Sequence, residues 1–309
     1  MAKRFAFVDG GGAPPFGAGV AFDGRYMYFP PGLNGQSQVI RYDTTQSFGA
    51  ASSWSVFYME AVDPNLKGYS GATYRDPYVY FVPSYGVDTS DHGHVVRFDR
   101  RKAFSDPASW EFTDLKAGLS PDARGYASAL VAGTDVYFVP GALSGGAGNN
   151  VLARYDTTRP FAADAGGWTA HAIGSGPFFG GVFDGRYVHL APSARAPLNV
   201  ARHDARDGGD TWGLFDTASL PFATPSCAGG AFDGRRVFFV PSYRLPGGRG
   251  TLSGVVTAYD TASPFGAKTS WSQIDLASLD ARAVNYQGAA FDGRYVYFAP
   301  ASGAPVARF

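Results

Sequence analysis

The residues of this chain best suited to proton transfer or metal ligation lie in one short segment, Asp91-His92-Gly93-His94. It is the only place where two of the five histidines sit close together. On an extended chain, side chains two residues apart point the same way. His92 and His94 can therefore offer two imidazoles beside the Asp91 carboxylate. Such a set suits zinc or a similar cation, but further ligands would have to come from elsewhere and no motif supplies them. No metal is assigned. The same groups serve as general acid, general base or hydrogen-bond partners of a ligand, which makes His92 and His94 the catalytic candidates. A plain polar surface loop is the remaining alternative.

A second set has the chemistry of ligand recognition: Tyr69, Tyr85, Tyr126, Arg195, Tyr243, Arg244, Tyr286 and Gln287. Phenol, guanidinium and amide groups suit an anionic or polyhydroxylated ligand. Other chemistries find no support. There is no G-x-S-x-G elbow and no phosphate-binding loop, and Gly10-Gly11-Gly12 lacks the strand-to-helix context of a dinucleotide site. No cofactor is expected. Cys227 is the single cysteine. It excludes an internal disulfide and reads as a small buried residue. His171, His189 and His203 fall in strand positions and read as packed structural histidines.

What must position these groups is a repeat. FDGRYMYFPP begins at Phe22, FDGRYVHLAP at Phe183, FDGRRVFFVP at Phe232 and FDGRYVYFAP at Phe291. Degenerate copies begin at Tyr74 and Val131, so the spacings run from 49 to 59 residues. A strand ending in Arg-Tyr-Asp or a variant follows each copy. All five tryptophans (Trp54, Trp110, Trp168, Trp212 and Trp271) occupy one later position. Each repeat thus holds four strands, A to D. An Asp-Gly turn joins A to B and is expected to be a type I′ hairpin. Strand B ends at a proline, which cannot continue a ladder. Strand D carries the tryptophan. Six such repeats make an all-β, six-bladed β-propeller of four antiparallel strands per blade, a single domain over 1–309. Residues 1–9 complete the last blade with 286–309. In that segment Phe5 takes the tryptophan slot and Asp9 matches Asp216 and Asp275, giving a 3+1 closure.

The order of small strand, DGR turn, YVYF strand, Tyr-Asp strand and tryptophan resembles a kelch-type propeller over the whole chain. Two features depart from it. The double glycine after the second strand is replaced by Val-Pro or Ala-Pro, as at Val82-Pro83 and Ala299-Pro300. The gap from Tyr42 to Trp54 is also long. Kelch-like propellers serve as interaction platforms, oxidases and ligand binders, so the resemblance implies a fold and no single function.

Composition agrees with this fold. Glycine and proline number 41 and 21 of 309 residues, against long helices. Aromatics make up 16%, which favours strands. The 26 basic and 26 acidic residues cancel, so bulk charge attracts neither nucleic acid nor a membrane surface. No stretch approaches 18 apolar residues. The N-terminal MAKRFAFVDGGG lacks the apolar core of a secretory signal. A cytoplasmic protein is expected, with a secreted mature form as the alternative.

The repeats also separate scaffold from site. The strand-C arginines Arg41, Arg97, Arg154, Arg202 and Arg308 and the turn aspartates Asp23, Asp184, Asp233 and Asp292 recur. They are expected to staple blades at one end. Phe48, Phe104, Phe161 and Phe265 plug the loops there. At the other end the B–C and D–A loops differ from blade to blade. They carry the segment 91–94 and the ligand-binding set, with Ser84, Asp88, Lys67, Arg124, Phe178, Phe179, Arg249, Arg282 and Asn285 beside them. Tyr69, Tyr126, Phe178 and Tyr286 share one repeat position and are expected to form a collar at the channel mouth. Variable loops on a rigid scaffold are the usual home of binding residues. The expected function is therefore a small-molecule site on that face, catalytic or not. The alternatives are a lectin with sites between blades and a protein-interaction scaffold.

Overall fold

Four of the six strand-A-to-B turns are built by one aspartate and one glycine. Asp23 Oδ1 accepts from the backbone N–H of Arg25 and of Tyr26 (2.9 and 2.6 Å). Asp184, Asp233 and Asp292 bracket their own turns in the same way. Only the glycine takes positive φ, between 94° and 96° at Gly24, Gly185, Gly234 and Gly293. The hairpins form as expected, but not as type I′ turns. The aspartate side chain substitutes for a second left-handed residue by binding the turn's own amides.

The computed structural model describes residues 19–32, 35–84, 90–143, 149–193, 198–207, 211–222, 226–244, 251–300 and 303–309. Five four-stranded antiparallel sheets follow in chain order. Blade 1 comprises Ala21–Phe22, Tyr26–Phe29, Gln38–Asp43 and Trp54–Tyr58. Blade 2 comprises Tyr69–Arg75, Tyr78–Pro83, His94–Asp99 and Trp110–Asp114. Blade 3 comprises Tyr126–Ala132, Asp135–Pro140, Val151–Asp156 and Trp168–Ala172. Blade 4 comprises Phe178–Phe183, Tyr187–Pro192, Asn199–Asp204 and Gly213–Asp216. Blade 5 comprises Cys227–Phe232, Arg236–Pro241, Val255–Asp260 and Trp271–Asp275. Blade 6 shows three strands, Tyr286–Phe291, Val296–Pro300 and Ala307–Arg308. This is a six-bladed β-propeller. Residues 1–9, expected to add the last strand, lie outside the described residues.

Strands A of successive blades touch one another from blade 1 to blade 6, which makes A the inner strand. Their small residues permit it: a β-carbon at Gly180 would lie 3.0 Å from the Gly229 backbone. Both faces of a blade are buried, so apolar clusters span neighbouring blades. One joins Tyr28 and Phe57 of blade 1 to Phe98 and Trp110 of blade 2.

The repeated polar residues hold the turn end, with partners other than those expected. The turn arginines Arg25, Arg186 and Arg235 ion-pair with the aspartates that end strand C, Asp43, Asp204 and Asp260, at 2.7–2.8 Å. Arg41, Arg97 and Arg202 of strand C instead lie against aromatic rings, because the Tyr and Phe positions of two adjacent blades meet at the seam, whereas Arg154 ion-pairs with Asp135. Loop plugs Phe104, Phe161 and Phe265 are buried. Each accepts, through its carbonyl, the indole N–H of the tryptophan in its own blade (2.6–3.0 Å).

Candidate functional site

The end carrying the B–C and D–A loops is built differently. Strand D of blades 2, 4 and 5 ends in an aspartate that caps a short helical turn. Asp114 Oδ1 accepts from Lys116 N–H (2.9 Å), and Asp216 and Asp275 repeat the contact. This capping leaves the second oxygen of Asp114 available. His94, at the start of strand C in the same blade, places Nε2 3.5 Å from Asp114 Oδ2. The pair is partly exposed, at 23% for the His94 side chain and 33% for Asp114. His94 Nδ1 is buried without a hydrogen-bond partner, and the ring meets Phe112 edge-on.

His92 is used differently. Its Nε2 donates to Gly68 O (2.9 Å), and its Nδ1 faces the His94 backbone N–H (3.4 Å). Both nitrogens are thus engaged with backbone, clamping the B–C loop of blade 2 to the D–A loop before it. Gly125 N–H also donates to His92 O. Burial pulls the His92 pKa down to about 4, with the nearby His94 adding to the fall and the Gly68 carbonyl opposing it. His92 therefore stays neutral in the folded protein while the unfolded residue protonates near 6.5. The sign follows from linkage: below pH 6.5 the unfolded state binds the extra proton. Stability is lost as pH falls from about 6.5 toward 4, by about 3 kcal/mol. His92→Gln should flatten that part of the curve of melting temperature against pH. An unchanged slope would contradict the clamp.

The tyrosine collar is interior packing. Tyr69, Tyr126 and Tyr286 are fully buried. Tyr69 Oη donates to His94 O and Tyr286 Oη to Pro305 O, both 3.1 Å. These carbonyls occupy the same repeat position, three residues before the strand-C arginine. The tyrosines thus tie strand A to the start of strand C, which the sequence pattern alone did not reveal. Phe178 is likewise buried, whereas Phe179 and Gln287 are exposed. Tyr243 and Arg244 form a short strand paired with Thr251–Leu252 in the B–C loop of blade 5. Tyr85, Asp88, Arg195 and Arg249 lie outside the described residues.

The structure therefore gathers one polar group at the junction of blades 1, 2 and 3. Lys67 ion-pairs with Glu60, which also accepts from Ser37 Oγ. The neighbouring Gly68 carries the His92 contact, and His94 and Asp114 follow. On the far side Gly125 approaches Asp91. Asp114 was not singled out from sequence, although its place at the end of a tryptophan strand marked it as a cap. Among the described residues no group of three or more His, Cys, Asp or Glu is arranged to hold a metal ion. Cys227 is buried, and burial pushes its thiol well up. His171, His189 and His203 are buried in strands. Among the described residues no helix is long and apolar enough to cross a membrane.

No family model matches the chain, and no curated protein does. Solved structures do. Hydrazine synthase of Kuenenia stuttgartiensis superposes with a TM-score of 0.61 at 12% identity, over 94% of this chain and 82% of that one. YjhT gives 0.56 at 13% identity over 94% and 93%. The computationally designed Ika8 protein gives 0.55 at 10% identity over 95% and 70%. At such identities the likeness concerns the fold alone, and it is a fold reached by natural and designed sequences alike.

Proposed function

We propose that this kelch-like propeller binds one small anionic or polyhydroxylated molecule on its B–C/D–A face, at the junction around His94. One observation carries the reading. At the turn end the recurring aspartates and turn arginines are engaged by one another and by backbone. At the loop end His94 remains partly exposed, with its Nε2 facing Asp114 and its other ring nitrogen buried. An imidazole oriented by a carboxylate can donate or accept a proton. Arg124, next to Gly125 on the His92 carbonyl, adds positive charge nearby. His94 is the contact and proton-transfer group, and Asp114 is a positioning residue. His92 shapes the loop. Among the described residues the polar set occurs in one blade only, which favours a single site over the repeated sites of a lectin.

The test is a calorimetric screen of monosaccharides, uronic acids and small carboxylates. Hits are then measured on His94→Ala and Asp114→Asn. Asparagine still caps the helical turn, so Asp114→Asn should leave the melting temperature nearly unchanged. Binding is expected to weaken about tenfold in each variant, the scale of one lost charge-assisted hydrogen bond. Hits that bind both variants as tightly as the parent would end the assignment.

A further inference from the structure

The aspartate that ends strand D stands in a frame that the chain repeats. In blade 2, His94 of strand C pairs in register with Asp114 of strand D. The corresponding pairs are Asn199 with Asp216 in blade 4 and Val255 with Asp275 in blade 5. In blades 2 and 5 a glycine before the strand-C residue lets the loop run hard against the capped turn. A β-carbon at Gly93 would lie 2.7 Å from the Lys116 amide nitrogen and 3.3 Å from Asp114 Oδ1. One at Gly254 would meet the Ala277 nitrogen and Asp275 Oδ1 at 2.9 and 3.1 Å. Blade 5 is thus an internal control. It keeps the frame but has Val255 and Gln273 where blade 2 has His94 and Phe112. The frame itself demands neither the imidazole nor the phenyl ring.

Phe112 and Asp114 are two residues apart on strand D, so they share one face, roughly 7 Å apart along it. His94 joins them from the neighbouring strand. Its ring centroid lies 6.0 Å from that of Phe112, with the planes at 80°. Phe112 is 38% exposed, and His94 and Asp114 are partly exposed beside it. Of the two imidazole nitrogens, Nδ1 is the buried one. Burying an N–H without a partner is costlier than burying a bare acceptor, so in the neutral ring the proton sits on Nε2, directed at Asp114. At 3.5 Å the two groups are too far apart for a good hydrogen bond, and both keep capacity for a ligand. Asp114 Oδ1 is taken by the Lys116 amide, which leaves Oδ2 to accept. Among the described residues no lysine or arginine ion-pairs with Asp114, and Lys67 is committed to Glu60.

We infer that the ligand of this surface is a neutral pyranose, seated on Phe112 and held by its hydroxyls to His94 and Asp114. The inference rests on the reading of the His94 junction as a ligand site and names its substrate class. A hydroxyl is both donor and acceptor. It therefore serves the two groups together, accepting from Nε2–H and donating to Oδ2. A carboxylate ligand only accepts, and it would bring its charge against that of Asp114. The C–H face of a sugar ring is apolar and faintly positive, which matches the negative face of the exposed phenyl ring. Phe112 is thus a specificity-determining residue. It adds a flat apolar platform to a donor–acceptor pair, and among the described residues blade 2 alone combines the three.

The test titrates the full chain with the methyl pyranosides of glucose, galactose and mannose, and with glucuronate and acetate as anionic probes. Binding is read by saturation-transfer NMR at up to about 20 mM probe. At least one neutral pyranoside should bind, with transfer concentrated on the C–H protons of one ring face, and more tightly than either anion. Phe112→Ala should weaken it at least tenfold. Phe112→Leu keeps an apolar side chain without the ring and should weaken it several-fold. Phe112→Tyr keeps the ring and should bind as the parent does. The melting temperature checks that each variant is folded, and the leucine and tyrosine variants keep the test decisive if the alanine one is not. Pyranoside binding that needs His94 but is unchanged in Phe112→Leu would overturn the inference. So would glucuronate and acetate binding in a His94-dependent way while no pyranoside does. Either result leaves His94 as a ligand contact. No binding of any probe, or binding indifferent to His94→Ala, would end both readings.

Discussion

A chain lacking residues 1–9 is expected to melt roughly 10 °C below the full-length protein. Five blades have a described strand D next to strand C, and the sixth shows strand C, Ala307–Arg308, with no described strand beyond it. Arg4-Phe5-Ala6-Phe7-Val8-Asp9 carries the strand-D pattern. Two apolar surfaces lie beside that edge among the described residues. On blade 6, Ala289, Tyr297, Phe298 and Val306 line an apolar groove. On blade 1, Phe48 is 37% exposed, while its counterparts Phe104, Phe161 and Phe265 are buried. Arg308 stacks on Tyr295 at 4.3 Å and shows no second ring among the described residues, and the repeat pattern assigns that place to Phe48. Burying Phe5, Phe7 and Val8 is worth about 5 kcal/mol, and pairing also removes an open edge. At this chain length each kcal/mol moves the melting temperature by about 2 °C. A truncated protein that melts within about 2 °C of the parent would contradict the 3+1 closure.

Trp110→Ala and Trp271→Ala should each cost about 3–5 kcal/mol, read from urea unfolding with unchanged slope. Both indoles are buried. Each is stacked almost flat on a phenylalanine of the preceding blade's outer strand: Trp110 on Phe57 at 4.3 Å and 7°, Trp271 on Phe215 at 4.1 Å and 9°. Each also donates Nε1–H to its loop phenylalanine carbonyl. Removal therefore loses packing on both sides of a seam and orphans a buried carbonyl. Trp212 makes the informative contrast. It stacks on His203 (5.0 Å) in the blade without a loop phenylalanine and is only half-buried. Trp212→Ala should cost about 1–2 kcal/mol. Equal losses at all three positions would show that the tryptophans act singly rather than as seam contacts.

The propeller was legible because its cause is periodic: turn, proline stop and tryptophan recur with the strands they bound. What periodicity does not carry is which atom meets which. The Asp-Gly dipeptide announced a hairpin but not its turn type, because an aspartate side chain can satisfy the turn that a second left-handed residue would otherwise make. The strand-C arginines looked like partners of the turn aspartates. Their aromatic partners come from two different blades, which only the assembled seam brings together. The same holds for Tyr69 and Tyr286, whose position suggested a channel mouth and whose hydroxyls reach strand C instead. The Asp91-His92-Gly93-His94 segment was found by composition, but spacing could not say that His92 turns both nitrogens to backbone.

The central claim is a division of labour, with staples at one end of the propeller and a single site at the other. Crystals soaked with the best hit of the sugar and carboxylate screen test it most directly. The account predicts one molecule per chain against His94 and Asp114, within hydrogen-bonding distance of the imidazole. The same molecule found at the Asp-Gly turns, or repeated at every seam, would contradict it.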